Sequence, residues 1–124
     1  MQNESNPTPK VLVIEDDPAY QRILQLYLQR AGAVCECCFD GKSGLKKAIE
    51  NHYALIIIDI NIPEMDGFAV ATRLKDENDT TPLIAITAIT IEGLRKNAFK
   101  VGFTEFLQKP LTEDDITRII QQYT

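Results

Sequence analysis

Residues 55 to 59 read Leu55-Ile56-Ile57-Ile58-Asp59, four large apolar side chains, three of them β-branched, running into a carboxylate. A short unbroken apolar run of this kind is the pattern of a strand covered on both faces, the situation of a central strand in a parallel sheet. Two similar runs lie on either side in sequence, Val11 to Ile14 and Leu83 to Ile86. Between the runs the spacing turns helical. The clearest case is Pro18 to Ala31, where Leu24, Tyr27, Leu28 and Ala31 share a face. Asp17 can cap that helix, Pro18 suits its first position, and Gly32 follows its last turn, where a left-handed residue is commonly needed.

Further helices are expected at about Lys42 to Asn51, Met65 to Glu77, Ile91 to Val101 and Glu113 to Tyr123. The last is opened by Thr112, with Glu113, Asp114 and Asp115 in its first turn, so capping and the helix dipole agree. Two more polar segments, Val34 to Phe39 and Thr104 to Leu107, suit strands at sheet edges. Five strands alternating with five helices imply an α/β domain, a doubly wound parallel sheet with right-handed crossovers.

At 124 residues the chain is long enough for one core without disulfides or a structural metal. Residues 1–9 carry two prolines and no apolar period and read as a flexible tail, with the folded domain running from 10 to 124. A net charge of -5 with no basic cluster argues against a nucleic-acid partner. No apolar stretch approaches the roughly 20 residues that span a bilayer, and the polar N-terminus is unlike a signal peptide, so a cytoplasmic location away from membranes is expected. Cys35, Cys37 and Cys38 crowd one strand, the first two facing one way and the third the other. They read as reduced cysteines serving as small apolar side chains.

In open parallel sheets, ligands bind beyond the carboxyl ends of the central strands. Those ends are polar here: Glu15-Asp16-Asp17 after the first, Asp59-Ile60-Asn61 at the third, Thr87-Ala88 at the fourth, and Lys109-Pro110 after the fifth. Two carboxylates about 4 Å apart repel by roughly 4 kcal/mol at an effective dielectric of 20, so Glu15, Asp16 and Asp59 together need more positive charge than Lys109 supplies. Mg²⁺ suits a site that offers a few carboxylate oxygens and keeps positions for water and a phosphoryl group. A carboxylate can attack phosphorus when the transferred charge is neutralised by metal, ammonium and hydroxyl, and Asp59, ending the most apolar strand, is the best nucleophile.

At this point the sequence resembles the response-regulator receiver domains of two-component signalling, over about Lys10 to Tyr123. The matching stretches are Val-Leu-Val-Ile-Glu-Asp-Asp-Pro (11–18), Leu-Ile-Ile-Ile-Asp-Ile-Asn-Ile-Pro-Glu-Met-Asp-Gly-Phe (55–68), Ile-Ala-Ile-Thr-Ala (84–88) and Phe-Leu-Gln-Lys-Pro-Leu (106–111). The resemblance implies a flavodoxin-like five-stranded sheet of order 2-1-3-4-5, for which the family's chemotaxis member is a standard example. It implies that Asp16 is a direct Mg²⁺ ligand, that Glu15 acts on the metal through water, and that Asp59 is both ligand and phosphoacceptor. The backbone carbonyl of Asn61 would complete the protein's share, and Lys109 and Thr87 would grip the phosphoryl oxygens.

The implied donor is a histidine kinase or histidine phosphotransfer protein. The implied switch moves Thr87 toward the phosphoryl group and turns Phe106 inward, remodelling the surface of the fourth helix, fifth strand and fifth helix, about Ile91 to Tyr123, for a downstream protein or a phosphorylation-dependent dimer. Glu15 stands where Asp is commoner, and Phe106 where Tyr is frequent. Asn61 and Ile89 occupy the positions that tune hydrolysis of the phosphoaspartate. No output domain is expected after the last helix, so the chain would act by docking or as part of a larger kinase or regulator.

Other readings compete. A haloacid-dehalogenase-type phosphatase needs an acid two residues after its nucleophilic aspartate, and that residue is Asn61. A flavin module would want phosphate-binding amides and hydroxyls after the first strand, where acidic groups stand instead. A receiver-like scaffold that binds partners without phosphorylation is the runner-up. Asp17 is better read as a cap, Asp66-Gly67 as turn chemistry beside Pro63, and His52 as a solvated histidine.

Overall fold

Every apolar run of the sequence becomes a strand of one sheet in the computed structural model, which describes residues 8–62, 64–88 and 102–124. In chain order the elements are β1 (Lys10–Ile14), α1 (Pro18–Arg30), β2 (Val34–Cys38), α2 (Gly41–Glu50), β3 (Leu55–Asp59), α3 (Gly67–Asp76), β4 (Leu83–Thr87), β5 (Glu105–Gln108) and α4 (Glu113–Tyr123). The sheet is parallel throughout with order β2-β1-β3-β4-β5. Four helices lie among the described residues. The helix expected over Ile91 to Val101 falls outside them, as do the expectations for most of the tail, Pro63 and Ile89.

The period-2 alternation of the central strands divides the core into two layers. Leu12, Ile14, Ile56, Ile58 and Ala85 face one side with Leu45 and Ala48 of α2 and Val70, Ala71 and Leu74 of α3. Val11, Val13, Leu55, Ile57, Ile84 and Ile86 face the other with Leu24 and Leu28 of α1 and Ile116, Ile119 and Ile120 of α4. Each aliphatic side chain fully enclosed in this way contributes about 1.5–3 kcal/mol relative to exposure. The polar strands take the edges. On β2, Glu36 binds Lys10 at 2.8 Å and the Tyr53 hydroxyl at 2.6 Å, charging an edge that could otherwise pair with another chain.

Side-chain caps set the helix starts. The carboxylate of Asp17 accepts from the Ala19 N–H at 2.9 Å, that of Asp40 from Ser43 at 2.7 Å and that of Asp66 from Ala69 at 2.9 Å. Thr112 and Asp115 form a reciprocal capping box on α4. Helix α3 begins at Gly67, two residues later than the expected Met65, because Asp66 is its cap and Met65 belongs to the preceding loop. Past α1, Gly32 takes a φ of 89°, the left-handed conformation expected of it.

Candidate phosphoacceptor site

Register, more than any single contact, assembles the site. Ile14 pairs with both Cys38 and Ile58, Asp59 pairs with Ile86, and Thr87 with Gln108, so the carboxyl ends of the strands are aligned within about one residue. Strands β3 and β4 each run one residue beyond their apolar stretch, making Asp59 and Thr87 their last members. Glu15 and Lys109 are the first residues past β1 and β5. The Lys109 N–H donates to the Thr87 carbonyl at 2.7 Å, which continues the β4–β5 pairing into the loop and fixes where the lysine leaves the backbone.

The Lys109 ammonium donates to Asp59 Oδ2 at 2.8 Å and to Glu15 Oε1 at 2.6 Å, bridging the two carboxylates. Their other oxygens are also engaged: Glu15 Oε2 accepts from the Asp17 N–H at 3.0 Å, and Asp59 Oδ1 from the Asn61 N–H at 2.9 Å. Asp16 completes the group from an exposed position, with one carboxylate oxygen each of Glu15, Asp16 and Asp59 lying within 4.8 Å of one another. Thr87 is fully buried, and Phe106 is packed in the core layer of α2 and α3. The ring expected to turn inward on switching is therefore already inside.

Burial decides the protonation of Glu15. Its side chain is 1% exposed against 17% for Lys109. Enclosure pushes its pKa up to about 7; the hydrogen bonds from Lys109 and the Asp17 amide pull the other way, and the Asp59 charge adds to the rise. At Lys109 burial works against the ammonium, but hydrogen bonds to Asp59 and Glu15, with their charges, outweigh it and raise its pKa. Among the described residues, Lys109 is the one cation paired with this acidic group. The donor set is all oxygen, acidic and partly open through Asp16, which fits a hard divalent cation such as Mg²⁺ and disfavours soft metals.

Two side chains absent from the sequence reading support the site. Tyr20 lies over Lys109, its ring centroid 4.4 Å from Nζ, and its hydroxyl accepts from the Leu111 N–H at 2.9 Å. Gln21, buried, donates to the carbonyls of Glu15 at 2.9 Å and Cys38 at 2.7 Å, tying the ends of β1 and β2 together. Both precede Leu24 by one turn on the inward stripe of α1, and a glutamine on an apolar stripe was the available signal. Asp17 caps α1 as expected and His52 is exposed, whereas Asp66, expected only to shape a turn, caps α3.

The chain and its parallel 2-1-3-4-5 sheet are similar to known proteins. Residues 11–121 match the response regulator receiver domain family. The transcriptional regulatory protein SrrA of Staphylococcus aureus is 34% identical over 107 residues, covering 86% of this chain and 44% of that protein. The receiver domain of Francisella response regulator 1452 superposes with a TM-score of 0.87 at 31% identity, covering 94% of this chain and 97% of the other. The receiver domain of sensor histidine kinase PA1611 from Pseudomonas aeruginosa, which holds a magnesium ion in its active site cleft, gives a TM-score of 0.86 at 28% identity, covering 94% and 98%. The chain belongs to the response regulator receiver domain family and is a receiver domain of two-component signalling. It spans less than half the length of the regulator SrrA, so what a whole protein of that kind does is not carried over with the domain. Among the described residues no helix is long and apolar enough to cross a membrane.

Proposed function

We propose that Asp59 accepts a phosphoryl group from a histidine kinase or histidine phosphotransfer protein, in a Mg²⁺-dependent reaction that this domain itself promotes. The observation that carries the reading is the Lys109 ammonium held between Asp59 and Glu15, with Asp16 within reach of both. Asp16, Asp59 and the Asn61 backbone carbonyl would hold the metal, with Glu15 acting through water, and a bound Mg²⁺ would supply charge neutralisation for the transferred group. A carboxylate oxygen of Asp59 attacks phosphorus, the bond from phosphorus to the donor histidine breaks, and the imidazole leaves with its electron pair and takes up a proton. Lys109 and Thr87 bind the phosphoryl oxygens. Phosphorylation gives Lys109 a more highly charged partner on Asp59, and the contact of Thr87 with the phosphoryl group, with Phe106 already inward, biases β5 and α4 toward a downstream protein or a second copy.

The functional unit is residues 10–124. Intact mass after incubation with Mg²⁺ and a small-molecule phosphodonor tests the reading. One phosphoryl adduct is expected, absent from Asp59→Asn and from a magnesium-free control. An adduct that persists in Asp59→Asn would remove Asp59 from its role. A folded protein that neither binds Mg²⁺ nor accepts phosphoryl from donor or kinase would be a phosphorylation-independent scaffold instead.

A further inference from the structure

On the β2 edge, at a distance from the carboxylates, two sulfurs are already in contact. Cys35 and Cys37 point to the same side of the strand, toward the α1 and α4 layer, both half-buried, with their Sγ atoms 3.6 Å apart. Cys38 faces the opposite layer and is buried. Residues two apart on a strand have Cα atoms about 6.6 Å apart, at the long end of what a disulfide tolerates, and an S–S bond needs about 2.0 Å. Direct oxidation would therefore have to buckle the strand. A single atom bound to both sulfurs would not: with thiolate bonds of about 2.3 Å, a 3.6 Å separation subtends about 103° at the bridging atom, close to a pyramidal or tetrahedral angle.

The ligand count then selects the occupant. Zinc takes four ligands, and among the described residues no further His, Cys, Asp or Glu completes a set with these two sulfurs. A trivalent metalloid with one substituent of its own needs only two thiols and is pyramidal because of its lone pair. The two thiols also differ in proton affinity. The hydrogen bond to Cys37 and burial hold the Cys35 thiol well above its ordinary range, while the same hydrogen bond lowers Cys37.

We propose that Cys35 and Cys37 form a preorganised two-sulfur clamp for trivalent, thiophilic metalloids such as arsenite, antimonite and their mono-organic derivatives. With a mono-organic arsonous acid the step is a condensation. Two S–H bonds and two As–OH bonds break, two As–S bonds form, two waters leave, and arsenic stays trivalent throughout, so no oxidant is required.

Phenylarsine oxide, hydrated in water to the arsonous acid, is the probe, added to the reduced full chain and read by native mass spectrometry and thermal unfolding. One adduct per chain is expected in wild type and in Cys38→Ser, reversed by excess dithiol and lost in both Cys35→Ser and Cys37→Ser. The adduct should raise the unfolding midpoint, since a ligand held by the folded geometry stabilises it. Cys35→Ala and Cys37→Ala, with unfolding midpoints measured without probe, separate loss of binding from loss of fold. A lowered midpoint on binding, an adduct that survives removal of either cysteine in a folded variant, or one that requires Cys38 would overturn the clamp.

Discussion

Lys109 is the residue on which the site's electrostatics turn, because its ammonium bridges two enclosed carboxyl groups. Replacing it with Gln leaves Asp59 and Glu15 facing each other without a cation, and the expected loss in the metal-free protein is about 2–3 kcal/mol at pH 8 by urea denaturation. The pH dependence has its own sign. Glu15 titrates at about 7 when folded and at its ordinary 4.5 when unfolded, so the folded state holds a proton the unfolded chain has released. Its contribution to stability is complete below 4.5 and is lost as pH rises through 7. Metal-free wild type should therefore lose stability from pH 5 to pH 8 more steeply than Glu15→Gln, in denaturation curves with a chelator. A Glu15→Gln curve parallel to wild type would remove this account. Tyr20 bears on the same lysine through its ring and on Leu111 through its hydroxyl. Tyr20→Phe keeps the first contact and Tyr20→Leu loses both, so phosphorylation by a small donor should fall further in the second than in the first.

The elements carry the site only because two glycines let backbones meet. A Cβ on Gly67 would sit 2.9 Å from Ile60 Cα and 3.1 Å from the Asp59 carbonyl, both backbone atoms of the segment that presents the Asp59 carboxylate. On Gly41, at the start of α2, it would fall 1.7 Å from the Met65 carbonyl. Neither neighbour can rotate away. Gly41→Ala should cost at least about 2 kcal/mol and Gly67→Ala about 1–3 kcal/mol. Only Gly67→Ala displaces Asp59 directly, so it should slow phosphoryl acceptance out of proportion to its stability loss. Thermal unfolding beside the mass-shift assay checks both. The apolar runs, the caps at Asp17 and Thr112, and Gly32 were legible in the sequence because each is a local pattern with a local cause. The close approaches at Gly41 and Gly67 were not, since what forbids a side chain there is a strand end or loop that only the tertiary fold brings near. Tyr20 and Gln21 escaped for the same reason: their stripe showed that they point inward, but not that Lys109 and two strand ends lie there. The cysteine facing pattern was visible, whereas the sulfur contact depends on two rotamers.

At the scale of the whole molecule, the sheet concentrates negative charge at one edge of an already acidic chain of net charge -5. Strand order brings Asp59 beside Glu15 and Asp16 from a distant part of the sequence, and the core that aligns β1 with β3 keeps the buried pair, Glu15 and Asp59, close. A charge arrangement kept against stability in this way is the usual sign of a functional site. Asp16 permits a test because it is exposed and no core packing depends on it. Asp16→Asn should stabilise the metal-free protein by about 0.5 kcal/mol, a modest gain because solvent screens the exposed carboxylate. Mg²⁺ should reverse the ranking. Wild type gains stability as the metal fills the site and the variant gains little, so urea curves with chelator and with millimolar Mg²⁺ should cross over. If Asp16→Asn is no more stable than wild type without metal, the acidic edge is not a source of strain. If Mg²⁺ stabilises both equally, the ion is held somewhere other than this trio.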